Sequence, residues 1–183
     1  MLLHQGIGLD AFNAFPERRA VHALYECCNS MTMARHLAHG RAYLDHDALF
    51  RRADALLFAL PDSAIDQILD ACPHVGRRPR SAKSQAEQCS VWDDDADVMA
   101  ELGSSSRTYA ATFGFGFVMY VGERLREEHD LGGVSARTVL GTVADRMHND
   151  VETERKVVRN ELAKINRSRL ERMLGPEGGY HNW

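Results

Sequence analysis

Apolar residues recur at three- and four-residue intervals through most of the chain, the spacing of helices that bury one face. Pro16-Glu17 opens a helix through Cys28, with Val21, Leu24, Tyr25 and Cys28 as its stripe. A second, short helix runs from Met31 to Leu37 and ends at Gly40. Asp45 to Leu60 carries Leu49, Ala53, Leu56, Leu57 and Leu60 on one side, and Pro61 stops it. Ser63 with Asp66 reads as a capping pair for a helix to about Ala71. Cys72-Pro73 ends that helix, because the residue before proline is pushed out of helical geometry.

The acids Asp94, Asp95 and Asp97 suit a helix N-terminus, and Val98, Leu102, Tyr109 and Phe113 follow as an apolar face. Phe113 to Val121 has strand propensity. With no second strand-like run to pair with it, helix or tight turn is the expectation. From Ser135 to about Met173 the pattern predicts one long helical stretch, straight or bent, with Val139, Val143, Met147, Val151, Val158, Leu162 and Ile165 inside. The fold class expected is therefore all-α, one helical domain over 1–174, with a Gly-rich tail at 175–183.

Composition narrows the function. The 183 residues are enough for one domain with a substantial core. A net charge of −4 argues against a general nucleic-acid surface. The run Arg77-Arg78-Pro79-Arg80, with Lys83, reads as a solvated loop or an attractor for a small polycarboxylate. Cys27, Cys28, Cys72 and Cys89 form no disulfide framework and no CxxC pair. No apolar run could span a bilayer, and the N-terminus lacks a signal-peptide core. A cytoplasmic protein with reduced thiols is expected.

Several residues could carry chemistry. On a continuous helix Arg146, Asp150 and Glu154 would form one ridge, with Glu154 near the middle of the apolar face and therefore paired. Two readings follow: an Arg146–Asp150 pair with Glu154 bonded structurally, or an Arg146 held ready for a substrate carboxylate. Ser84-Gln85-Ala86-Glu87-Gln88 contains a capping box, and a capped helix start is also an anion seat. Cys72, at a helix end beside a proline, can be a buried inert thiol or a partly exposed one influenced by the arginines that follow. His74 is a candidate proton carrier. His36 and His39, with Asp45, His46 and Asp47 after them, offer a weaker metal reading. No phosphate loop, dinucleotide fingerprint or GxSxG elbow is present.

Read together, Ala71-Cys72-Pro73-His74-Val75-Gly76, Ser84 to Gln88, Phe113-Gly114-Phe115-Gly116-Phe117 and Arg146-Met147-His148-Asn149 resemble the OHCU decarboxylase family. That family acts in the last step of urate breakdown to allantoin. The resemblance runs from about Phe12-Asn13 to Arg169-Leu170. It implies an all-helical homodimer that works without metal or organic cofactor on a small carboxylated substrate.

It also implies roles. Cys72 stands where the family has its catalytic His, followed by the matching Pro73; Glu87 would assist, and His74 is a further catalytic candidate. Ser84, Gln88, Phe115, Gly116, Phe117, Val118, Met119 and Arg146 would meet the substrate. Other departures are Met33 for a tryptophan, Arg41-Ala42 for Arg-Pro, Ser106 for an asparagine and Gly116 for a proline. The reading carried forward is a cofactor-free carboxy-lyase. Two alternatives accompany it: a repurposed enzyme whose Cys72 attacks another substrate, and a silent binding protein.

Overall fold

The computed structural model describes residues 4–72, 91–93, 95–121 and 134–176. Its helices are α1 (Leu9–Ala14), α2 (Glu17–Cys28), α3 (Met31–His39), α4 (His46–Ala59), α5 (Asp62–Ala71), α6 (Ala96–Phe113), α7 (Ala136–Arg146) and α8 (Val151–Leu174). The fold is all-α. The exception to the expected absence of sheet is a two-residue parallel pairing, β1 (Val91–Trp92) on β2 (Val134–Ser135). The described residues group into two compact units, those that fall within 69–161 and those within 4–68 and 162–176.

In the second unit, caps explain most helix limits. Ser30 accepts from the Met33 amide at 3.3 Å and opens α3, and Asp45 accepts from the Ala48 amide at 2.6 Å and opens α4. Pro61, through its carbonyl, receives the amides of Ala64 and Ile65, so α5 starts at Asp62. Ser63 is thus inside the first turn rather than a cap. The buried face of α2 is Ala20, Ala23, Leu24, Cys27 and Cys28, while Tyr25 is exposed. The stripe expected for α2 is therefore rotated toward its small residues.

The chain start and the end of α8 complete one another in this unit. The amides of Gly6, Ile7 and Gly8 donate to the carbonyls of Arg172, Met173 and Leu174 at 2.9, 2.9 and 2.7 Å. Those carbonyls are the ones a helix C-terminus leaves without partners. Arg41 closes α1 similarly: its Nη1 donates to the carbonyls of Phe12 and Phe15 at 3.0 and 2.7 Å, and its Nε to Ala38 at 2.9 Å. Asn13 binds both backbone groups of Tyr43. The peptide bond Arg41-Ala42 is cis.

In the first unit, α6 follows the expected pattern, with Val98, Leu102, Tyr109 and Phe113 buried and Asp95 capping its start. Gly114 ends it in the left-handed region at φ 81°, where a β-carbon would be strained. Residues 116–121 then form neither helix nor strand; of the two expected alternatives, helix or tight turn, the chain does not continue as helix. The long C-terminal helix is also interrupted. It stops at Arg146, turns through 147–149, and restarts at Val151. Asp150 makes the restart, accepting the Thr153 amide at 2.7 Å through its side chain and the Glu154 amide at 2.9 Å through its carbonyl.

Candidate functional site

The interruption after Arg146 creates the polar centre of the first unit. On a continuous helix, residues eight apart would be separated by about 12 Å along the axis. With the turn between them, Arg146 donates to Glu154 Oε1 from Nε at 2.8 Å and from Nη2 at 2.5 Å. Both groups are buried, Glu154 completely. The partner of Arg146 is therefore Glu154; Asp150, expected in that role, is the cap of α8 instead. The hydrogen bond that Asp150 accepts from the Thr153 amide holds its carboxyl below the usual range.

Glu154 is fully engaged. Besides the two Arg146 bonds, its Oε1 accepts from the Tyr109 hydroxyl, and its Oε2 accepts from Asn149 Nδ2 at 2.7 Å. Such saturation is what lets a carboxylate lie in an apolar interior. Tyr109 also accepts from Arg146 Nη2 at 3.3 Å. Burial first, and then the bond to Glu154, pushes its phenol well above the ordinary value.

This centre grips the segment after α6. Arg146 Nη1 donates to the Val118 carbonyl at 2.7 Å, and two positions on the Tyr120 amide donates to Glu161 on α8 at 2.6 Å. Side chains hold the same stretch. The Arg146 guanidinium stands 4.6 Å from the Phe117 ring centroid, and that of Arg155 stands 4.1 Å from Phe115. Tyr109 meets Phe117 edge-on at 5.2 Å and Phe113 at 4.7 Å. Phe115, Phe117 and Val118 are buried, while Gly116 and Met119 are half-buried. A short non-helical segment is thus fixed at its backbone by two charged side chains.

The structure brings Arg146 together with Phe117 and Val118 out of the residues expected to meet substrate. Cys72 is half-buried, one residue past α5, with its amide bonded to the Leu69 carbonyl at 3.0 Å. That is a helix C-terminus, whose partial negative charge disfavours a thiolate. Pro73, His74, Ser84, Glu87 and Gln88 lie outside the described residues. Tyr109 is the member that sequence reasoning did not assign to this centre; Asn149 stood in the family motif with Arg146, without a stated partner. The Asn149-Asp150 pair carried the signal, since a helix stop followed by a capping residue predicts the break.

His36 and His39 do not gather with Asp45, His46 and Asp47 into a ligand set among the described residues. The cavity of about 300 Å³ lined by Asn13, Glu17, His39 and Arg41 is in the second unit and includes none of the expected site residues. No described helix is long and apolar enough to cross a membrane.

Comparison with solved structures finds the same fold in proteins that include the following two. An OHCU decarboxylase crystallised in the presence of (S)-allantoin has a TM-score of 0.65 and 19% identity, covering 87% of this chain and 99% of its own. A crystal structure of (S)-allantoin synthase also gives 0.65, at 15% identity over 89% of this chain and 52% of its own. This chain thus spans about half the length of that second protein. Comparison with curated protein sequences gave no match. The family model for OHCU decarboxylase matches residues 13–171, from Asn13 on α1 into the last turns of α8. The chain belongs to the OHCU decarboxylase family.

Proposed function

We propose that the protein is a cofactor-free carboxy-lyase acting on a small carboxylated ureido heterocycle of the OHCU type, in urate breakdown toward allantoin. The observation that carries the proposal is the backbone grip on residues 117–120, made by Arg146 and Glu161. Family resemblance makes this the wall of the substrate site, and a wall must be rigid to orient a leaving carboxylate. In this reading Arg146 serves the substrate by holding Val118, since its charge is already matched by Glu154.

Decarboxylation here needs no external electron sink. As the carbon–carbon bond breaks and carbon dioxide leaves, the electron pair passes into the substrate's own carbonyl and imine system. Cys72 then supplies the proton that forms the new carbon–hydrogen bond, and its thiolate recovers a proton from solvent by way of Glu87 or His74. The C-terminal end of α5 supports this role for Cys72. A thiol kept protonated is an acid first and a nucleophile second. Ser84, Gln88 and the 115–119 segment would seat the ring, and the working form would be a homodimer in the cytoplasm.

The test is turnover of freshly generated OHCU, followed by carbon dioxide release and the optical rotation of the product. Wild type should outpace spontaneous decay, Cys72→Ser should not, and Cys72→His should be active. Wild-type decay no faster than buffer would overturn the proposal.

A further inference from the structure

The second unit holds a cluster of side chains that the lyase reading does not use. His22 and Glu26 lie four residues apart on α2, so they project from the same face one turn apart. His4 is brought against them by the chain start. Its Nε2 is 3.4 Å from His22 Nδ1, and the two rings meet edge-on with centroids 5.7 Å apart. Together the three residues offer one ligand atom each, all within 4.8 Å of one another.

We propose that His4, His22 and Glu26 form a binding site for a zinc-type divalent cation, with water completing the coordination. Two imidazole nitrogens pointing at each other compete for a single proton, whereas a metal satisfies both lone pairs at once. The spacing fits. Zinc–nitrogen bonds of about 2.0–2.1 Å in a tetrahedron put neighbouring ligand atoms about 3.4 Å apart. Glu26 contributes the oxygen and the negative charge, giving the two-histidine, one-carboxylate set that zinc accepts with an open fourth position.

The site has a structural consequence. Gly6, Ile7 and Gly8 already tie the chain start to the end of α8. A metal between His4 and α2 would add a second attachment two residues earlier. The three-ligand bridge would therefore fasten the N-terminal segment onto α2 at the solvent side, where His22 is exposed.

The test is a titration of the metal-free full chain with zinc chloride against a chromogenic chelator, with cobalt(II) as the spectroscopic probe. One zinc per chain should bind at micromolar free metal, and cobalt should give the strong visible bands of tetrahedral coordination. Loss of an outer partner of a metal ligand costs about 10–100-fold in affinity, so His22→Ala and Glu26→Gln should each weaken binding by about 100-fold or more. His22 is exposed, so far-ultraviolet circular dichroism should be unchanged in His22→Ala. A His36→Ala/His39→Ala control should bind as wild type. Absence of saturable binding, or unaltered affinity in both His22→Ala and Glu26→Gln, would overturn the proposal.

Discussion

Arg146 and Glu154 form a buried ion pair across a helix break, the arginine closing α7 and the glutamate in the first turn of α8. The pair is compensated on every side, by Tyr109, Asn149 and the Val118 carbonyl. It couples the start of the last helix to the segment that follows α6. Stability and site geometry consequently depend on the same few atoms.

Glu154→Gln should be strongly destabilising, because it leaves the Arg146 guanidinium buried without a counter-charge. Breaking one side of such a pair costs about 3–5 kcal/mol. Urea unfolding should show Arg146→Met losing a comparable amount. The double variant Arg146→Met/Glu154→Leu should lose clearly less than the sum. Additive losses would mean that the two side chains do not act as a pair.

Tyr109→Phe removes one donor to Glu154 and one acceptor for Arg146 while keeping the ring that packs on Phe113 and Phe117. A loss of about 1–3 kcal/mol is expected. The pH dependence follows from the raised phenol. The folded protein keeps it neutral, while the unfolded chain ionises it near 10.0. Its contribution is complete below that pH and is lost as pH rises above it, by up to about 1.4 kcal/mol per pH unit. Chemical unfolding measured from pH 9.5 to 11.5 should therefore show a shallower decline in Tyr109→Phe than in wild type.

Cys72 should alkylate slowly at neutral pH. The carbonyl end of α5 opposes the thiolate, so iodoacetamide should label Cys72 more slowly than a free thiol at the same pH. Labelling faster than that of a free thiol would favour the nucleophilic reading of Cys72 over the proton-donor one.

Arg41→Met should destabilise the second unit by about 2–3 kcal/mol, since it strips a charged donor from the carbonyls of Phe12, Phe15 and Ala38. Thermal melting checks this, and Arg41→Lys should rescue only part of the loss. An ammonium cannot reproduce the planar fork of donors.

Light scattering at micromolar concentration should report twice the monomer mass if the family's dimer is retained. A monomeric mass would leave the lyase proposal to stand on turnover alone.

Helix class and most helix limits were legible in the chain itself. The buried positions of α6 follow directly from a 3.6-residue period, and Ser30, Asp45 and Asp95 announce helix starts through their own side chains. Those are local properties, decided within one or two turns. The family motifs were legible too, because they are strings of residue types.

What the chain alone did not decide is which side chains meet. Periodicity ran on through Met147 to Asp150, since the apolar pattern continues on both sides, and the break follows from one capping carboxylate outweighing it. Only once the chain turns there does Glu154 reach Arg146 instead of lying two helical turns away. The irregular path of residues 116–121 has the same origin. Local propensity favoured strand and the lack of a pairing partner favoured helix or a tight turn, yet the segment is held by Arg146 and Glu161, contacts 28 and 41 residues distant. Burying a charge is favourable only where several distant groups satisfy it together, and that condition belongs to the tertiary structure.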